Sequence, residues 1–129
     1  MPVIYQIDRG KRLVRTRCVG YVTLPEVADH FRQLVQDPDR LSPLDVLLDL
    51  REVTSLPSDD QLKAVGEEIR RIHDTLEFGA CAIVASSDVL FGTAEVFEVF
   101  AAPGFRMTKV FRGPTEAEAW LAQQRPSGT

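Results

Sequence analysis

The period of the apolar positions changes along the chain, and each change marks an element. Val3 to Asp8 and Arg12 to Val22 alternate with a period of two, which predicts two strands joined by a tight turn at Arg9-Gly10-Lys11, with Gly10 available for a positive φ. In the second strand Val14, Thr16, Cys18, Gly20 and Val22 share one face while Arg15 and Arg17 project from the other, so this strand is expected near a sheet edge. The period then lengthens. Thr23-Leu24-Pro25-Glu26 has the form of a capping box, and Leu24, Val27, Ala28, Phe31, Leu34 and Val35 follow at helical spacing until Asp37-Pro38 ends the helix. In the strand Asp45 to Leu50, Val46, Leu47, Leu48 and Leu50 form a near-continuous apolar run around Asp49, the pattern of a strand covered on both faces in a parallel sheet. Ser58 and Gln61 repeat the capping arrangement, and Leu62, Val65, Ile69, Ile72 and Leu76 mark a second helix with a charged outer face. Gly79 to Ala85 reads as a central strand, Val89 to Ala102 as a third helix stopped by Pro103-Gly104, and Arg106 to Arg112 as a last strand. Thr115-Glu116-Ala117-Glu118 offers a final capping box leading to Trp120 and Leu121.

The resulting order, ββαβαβαβα, predicts an α/β fold. It is a single domain with an N-terminal hairpin, a mostly parallel sheet of about five strands, right-handed crossovers and covering helices. A length of 129 residues suits one domain and one core. Residues 1–122 are assigned to it, and Gln123 to Thr129 are expected to form a flexible tail.

Charge alters this picture in one place. The formal net charge is −4, yet Arg9, Lys11, Arg12, Arg15 and Arg17 face only Asp8 in the first 22 residues, so that segment carries +4 and the remainder −8. Basic residues on an edge strand deter edge-to-edge aggregation, which is the simpler reading of the hairpin than an anionic partner. A pI near 5.1 and the lack of an aromatic-basic stacking motif argue against nucleic acid. No stretch approaches the ~18 apolar residues of a membrane span and the first residues lack a secretory apolar run, so a cytoplasmic protein is expected. Cys18 and Cys81 sit in separate apolar strands and are expected to be buried free thiols.

Candidate chemistry is sparse. Ligands of open α/β sheets bind beyond the carboxyl ends of the strands, where this chain places Arg51, Thr54, Ser55 and Ser58, then Ser86, Ser87 and Asp88, and finally Arg112 and Thr115. Each also has a structural use: Ser58, Asp88 and Thr115 as helix caps, Ser55 and Ser87 as turn formers, the arginines as partners for carboxylates. His30 and His73 fall on separate helices with no evident partner, and Asp49 is expected at its strand's end, accepting bonds from the turn that follows. No catalytic centre, metal site or cofactor is expected. The third helix stands out, because beside the core face of Leu90, Ala94, Phe97 and Ala101 it carries Gly92, Val96, Val99 and Phe100, a second apolar stripe that needs a cover. A homodimer interface through these four residues is the leading expectation, with a lipid-like ligand or the loop through Pro103 and Phe105 as alternatives.

The junction VLLDLREVTSLPS, the segment CAIVASSDVLFG and the ending KVFRGPTEAEAWL, in this order of elements, resemble the STAS-like family typified by the sporulation anti-sigma-factor antagonist. The likeness spans Tyr5 to Leu121 and is greatest to a bacterial branch of small stand-alone proteins grouped with CRAL-TRIO lipid-binding domains. It implies a non-enzymatic interaction or regulatory module acting on an unidentified protein partner, or alternatively a carrier or sensor of a small amphipathic ligand. One departure is informative. The antagonists carry Asp-Ser-Ser/Thr-Gly after the third strand and are phosphorylated on the second hydroxyl, whereas this chain reads Pro57-Ser58-Asp59-Asp60, with Asp59 at the acceptor position. That substitution argues against the family's phosphorylation switch. An acidic residue in a helix's first turn is sufficiently explained by the helix dipole.

Overall fold

The computed structural model describes residues 3–39, 41–72 and 75–124. Its strands are β1 (Val3–Asp8), β2 (Leu13–Gly20), β3 (Leu44–Val53), β4 (Phe78–Val84) and β5 (Met107–Phe111). Its helices are α1 (Leu24–Gln36), α2 (Asp59–Ile72), α3 (Asp88–Ala101) and α4 (Pro114–Gln124), with a 3-10 turn at Ala102–Gly104. The five strands lie in the order β1-β2-β3-β4-β5, antiparallel in the hairpin and parallel thereafter, as the element order predicts.

Successive crossovers in one direction place α1, α2 and α3 on the same face of the sheet, and the final helix returns to the other. The larger core therefore joins Phe31 and Leu34 of α1, Val65 and Ile69 of α2 and Phe97 of α3 to Val14, Val46, Leu48 and Ile83 of the sheet. Leu47, Ala82, Val84 and Phe111 face the opposite way against Ala117 and Leu121 of α4. Both faces of β4 and of the first half of β3 are thus covered, which is why β4 and the Val46, Leu47 and Leu48 stretch of β3 read as apolar runs. Gly66 lets α2 and α3 touch, because a Cβ there would stand 2.5 Å from the Phe100 carbonyl oxygen. Gly79 is equally constrained. Its missing side chain makes room for the Asp45 carboxylate, a buried acid that accepts from the Ala80 N–H at 2.9 Å.

Several local expectations are corrected. The hairpin turn is closed by the Asp8 carboxylate accepting from the Lys11 N–H, and Arg12, not Gly10, takes the positive φ of 51°. β2 ends at Gly20, because the Val22 backbone is bonded to the Ser55 hydroxyl instead of to a neighbouring strand. β3 continues to Val53, so Asp49 lies within the strand and accepts from the Arg51 N–H. Ser87, not Asp88, caps α3, accepting from the Leu90 N–H at 3.2 Å. α4 starts at Pro114, so Thr115 is not its cap, and Glu118 binds Arg15 across the sheet at 2.8 Å instead of closing a capping box. That helix also runs through Gln124, past the start of the expected tail, whose residues 125–129 lie outside the described residues.

His30 has a partner after all. Its Nε2 lies 2.8 Å from the Thr16 hydroxyl, and its ring packs edge-on to Tyr5 and Phe31 in the larger core. Nδ1 has no hydrogen bond, and burial pushes the imidazole down to about 4. Tyr5 is pushed up to about 12 by burial and by donating its hydroxyl to Asp37 at 2.7 Å. His73 lies outside the described residues. The basic hairpin is largely neutralised where it stands: Arg9 pairs with Asp39, Arg15 with Asp8 and Glu118, and Arg17 with Glu52.

Candidate functional site

Because α1, α2 and α3 each follow a strand's carboxyl end, their N-termini open on one edge of the sheet. The strand order never reverses, so no topological switch point forms there and the predicted rim residues are not drawn into one crevice. Arg51 is exposed and forks onto Asp49 at 2.8 and 3.0 Å, a pairing that holds the Asp49 carboxyl below its usual range against the cost of burial. Thr54 is exposed and donates its N–H to the Gly20 carbonyl. Ser58 and Gln61 cap α2 reciprocally, as the capping pattern predicts. Ser86, Ser87 and Arg112 do come together: the Arg112 guanidinium bonds the Ser86 carbonyl and Asp88 and lies 4.2 Å from the Phe91 ring centre. Thr115 belongs to α4, the helix of the opposite face, and meets none of the others.

What the edge does contain is an apolar pocket of about 90 Å³ between the sheet and the helix layer. The sheet contributes Cys18, Leu48, Leu50 and Val53 to its lining. Period two would put Leu50 and Val53 on opposite faces. A β-bulge resolves this, because Arg17 pairs with Asp49 and Val19 with Glu52, leaving one extra residue in β3 between them. Both side chains then pack on the larger core. Val27 of α1, Leu62 and Val65 of α2, and Leu90, Ala94 and Phe97 of α3 supply the walls.

Three hydroxyls line the pocket, and the proton of each is committed within the fold. Thr23 donates to Glu26 at 2.7 Å, Ser55 to the Val22 carbonyl at 2.9 Å and Thr93 to the Val89 carbonyl at 3.0 Å. Cys18 is buried, and desolvation, with the Asp49 charge adding to it, pushes its thiol up to about 12. It is an apolar wall atom, not a nucleophile. Next in the chain to the lining residues Val22, Ser55, Pro57 and Leu90 stand the exposed apolar side chains Tyr21, Leu56 and Val89, each at least 60% accessible.

Of the predicted binding residues, only Ser55 lines this pocket. Val53 and Thr93 do not stand out in the sequence, and Leu90 is legible there only as a core position, because the bulge and the helix layer, not polar residue types, bring them in. On α3, Val96 and Phe100 are half-buried against the core, while Gly92 is exposed and Val99 is 70% accessible. The second stripe is therefore narrower than its sequence pattern.

Among the described residues no group of three or more His, Cys, Asp or Glu side chains is arranged to hold a metal ion, and no helix is long and apolar enough to cross a membrane. No family model matches the chain, and no curated protein matches it. A solved structure does: the crystal structure of an uncharacterized protein from the DUF3478 family with a SpoIIAA-like fold, from Shewanella loihica PV-4. It is 21% identical, with a TM-score of 0.61 over 92% of this chain and 93% of that one. The chain has a SpoIIAA-like fold, in agreement with the STAS-like resemblance of its sequence.

Proposed function

We propose that this protein is a non-enzymatic binding module that acts through protein contacts, taking an apolar side chain of its partner into the pocket at the N-termini of α1, α2 and α3. The observation that carries this reading is the pocket itself, with apolar walls and committed hydroxyls, and with the exposed Tyr21, Leu56 and Val89 next in the chain to its lining residues Val22, Ser55, Pro57 and Leu90. Buried interface anchors seat in such pockets, and exposed apolar residues around them exclude water. The caps and ion pairs that hold Arg51, Ser58, Ser87 and Arg112 support a structural role for those residues. The same reading includes self-association through α3, on the narrower ground of Gly92 and Val99.

The second reading, a carrier or sensor of a small amphipathic ligand, is favoured by the same apolar lining and by the sequence likeness to the CRAL-TRIO grouping. Volume limits it. A dry cavity of about 150 Å³ is filled by one benzene, so about 90 Å³ has no room for a long acyl chain. Solvent extraction of the purified protein followed by mass spectrometry, alongside sedimentation of wild type and Val99→Asp, tests both readings. The protein-contact reading expects no stoichiometric small molecule and a dimer that Val99→Asp converts to a monomer. A stoichiometric amphiphile would favour the second reading, and a wild type that is monomeric at high concentration would remove self-association.

A further inference from the structure

We infer that the occupant of the pocket is a polypeptide segment that carries an aliphatic side chain flanked by lysine or arginine. This rests on the binding-module reading above and specifies its partner. Two observations select this chemistry. The first is the polar inventory of the pocket: with the hydroxyl protons of Thr23, Ser55 and Thr93 committed, the walls offer an occupant no free hydroxyl proton and are otherwise apolar, so discrimination by charge falls to the pocket's edge.

The second is charge. Helix N-termini ordinarily favour anions, but here each first turn carries its own carboxylates: Glu26 on α1, Asp59 and Asp60 on α2, Asp88 on α3. Glu26 is engaged by Thr23 and Asp88 by Arg112. Asp59 and Asp60 have no hydrogen bond or ion pair among the described residues. Both are exposed in the chain between the pocket-lining Pro57 and Leu62, and Asp59, three residues before Leu62, falls on the same side of α2, so the pocket's edge at α2 carries a carboxylate that no basic side chain among the described residues pairs. An anionic headgroup is repelled there, and a cationic flank is attracted.

The test is a titration of the full-length protein, observed by amide chemical shifts, with three probes. Two are blocked hexapeptides sharing a central pair of leucines, one flanked by lysines and the other by glutamates. The third is hexanol, which reports on the pocket without charge. The expected result is that hexanol and the lysine peptide shift the Cys18, Thr23, Leu90 and Thr93 amides, and that the lysine peptide binds about threefold or more tighter than the glutamate peptide. Salt should erase that difference. Asp59→Asn with Asp60→Asn should also erase it while leaving the hexanol shifts unchanged, and these exposed substitutions leave the core intact. Equal binding of the two peptides, or tighter binding of the glutamate peptide, in a protein that still takes hexanol overturns the inference and leaves the module reading standing. Pocket amides that respond to none of the three probes overturn both.

Discussion

His30 gives the fold a pH dependence whose size follows from its burial. The imidazole is 4% accessible, bonded only through Nε2 to Thr16, and held down to about 4 by desolvation, against 6.5 for an exposed histidine. Because the folded state binds this proton less readily than the unfolded state, the contribution is fully present above pH 6.5 and is lost as pH falls from there to about 4. A shift from 6.5 to about 4 corresponds to about 3 kcal/mol, of which about 2 kcal/mol is lost between pH 7 and pH 4.5. The carboxylates held below their usual range, among them Asp8, Glu26 and Glu52, act in the same direction only at lower pH. Urea unfolding of wild type and His30→Gln at intervals between pH 7 and pH 4.5 isolates the histidine. Whatever the variant loses in absolute stability, its pH slope in this window should be nearly flat while the wild type falls. Parallel slopes in the two proteins would refute the argument that a neutral imidazole is trapped in the core.

Three further outcomes follow from particular contacts. Ser58→Ala removes the hydroxyl that accepts from the Gln61 N–H and should cost about 0.5–2 kcal/mol in urea unfolding without abolishing the pocket's response to hexanol. Gly66→Ala places a Cβ against the Phe100 carbonyl and should destabilise by roughly 1–3 kcal/mol. Gly92→Ala meets nothing within 4 Å on a helix and should stabilise by about 0.5–1 kcal/mol, so opposite signs at the two glycines check the α2–α3 packing.

Most of the scaffold was legible because its signals are local. The capping residues Thr23 with Glu26 and Ser58 with Gln61, the apolar runs of β3 and β4 and the Pro103-Gly104 stop each depend on neighbours within a few residues. The site was less legible because it depends on distant pairings. Nothing in the alternation of LDLREV announces the bulge opposite β2 that turns Val53 to the same face as Leu50. Thr16 and His30 lie 14 residues apart and meet only when α1 folds back over β2. The polar rim looked promising because hydroxyls and arginines recur after each strand, yet the fold satisfies most of them internally: Arg51 with Asp49, Arg112 with Asp88, Ser55 with Val22. What remains for binding is apolar, and single apolar residues carry no functional signature in a sequence.

A xenon-pressurised crystal tests whether the sheet edge between α1, α2 and α3 holds a pre-formed apolar pocket. Xenon settles in dry apolar cavities of this kind. A xenon atom is expected in van der Waals contact with Cys18, Leu50, Val53 and Phe97, with the surrounding side chains unmoved. A crystal in which Leu50 or Phe97 closes over this space, or in which ordered water fills it, would show that no pre-formed apolar pocket exists here.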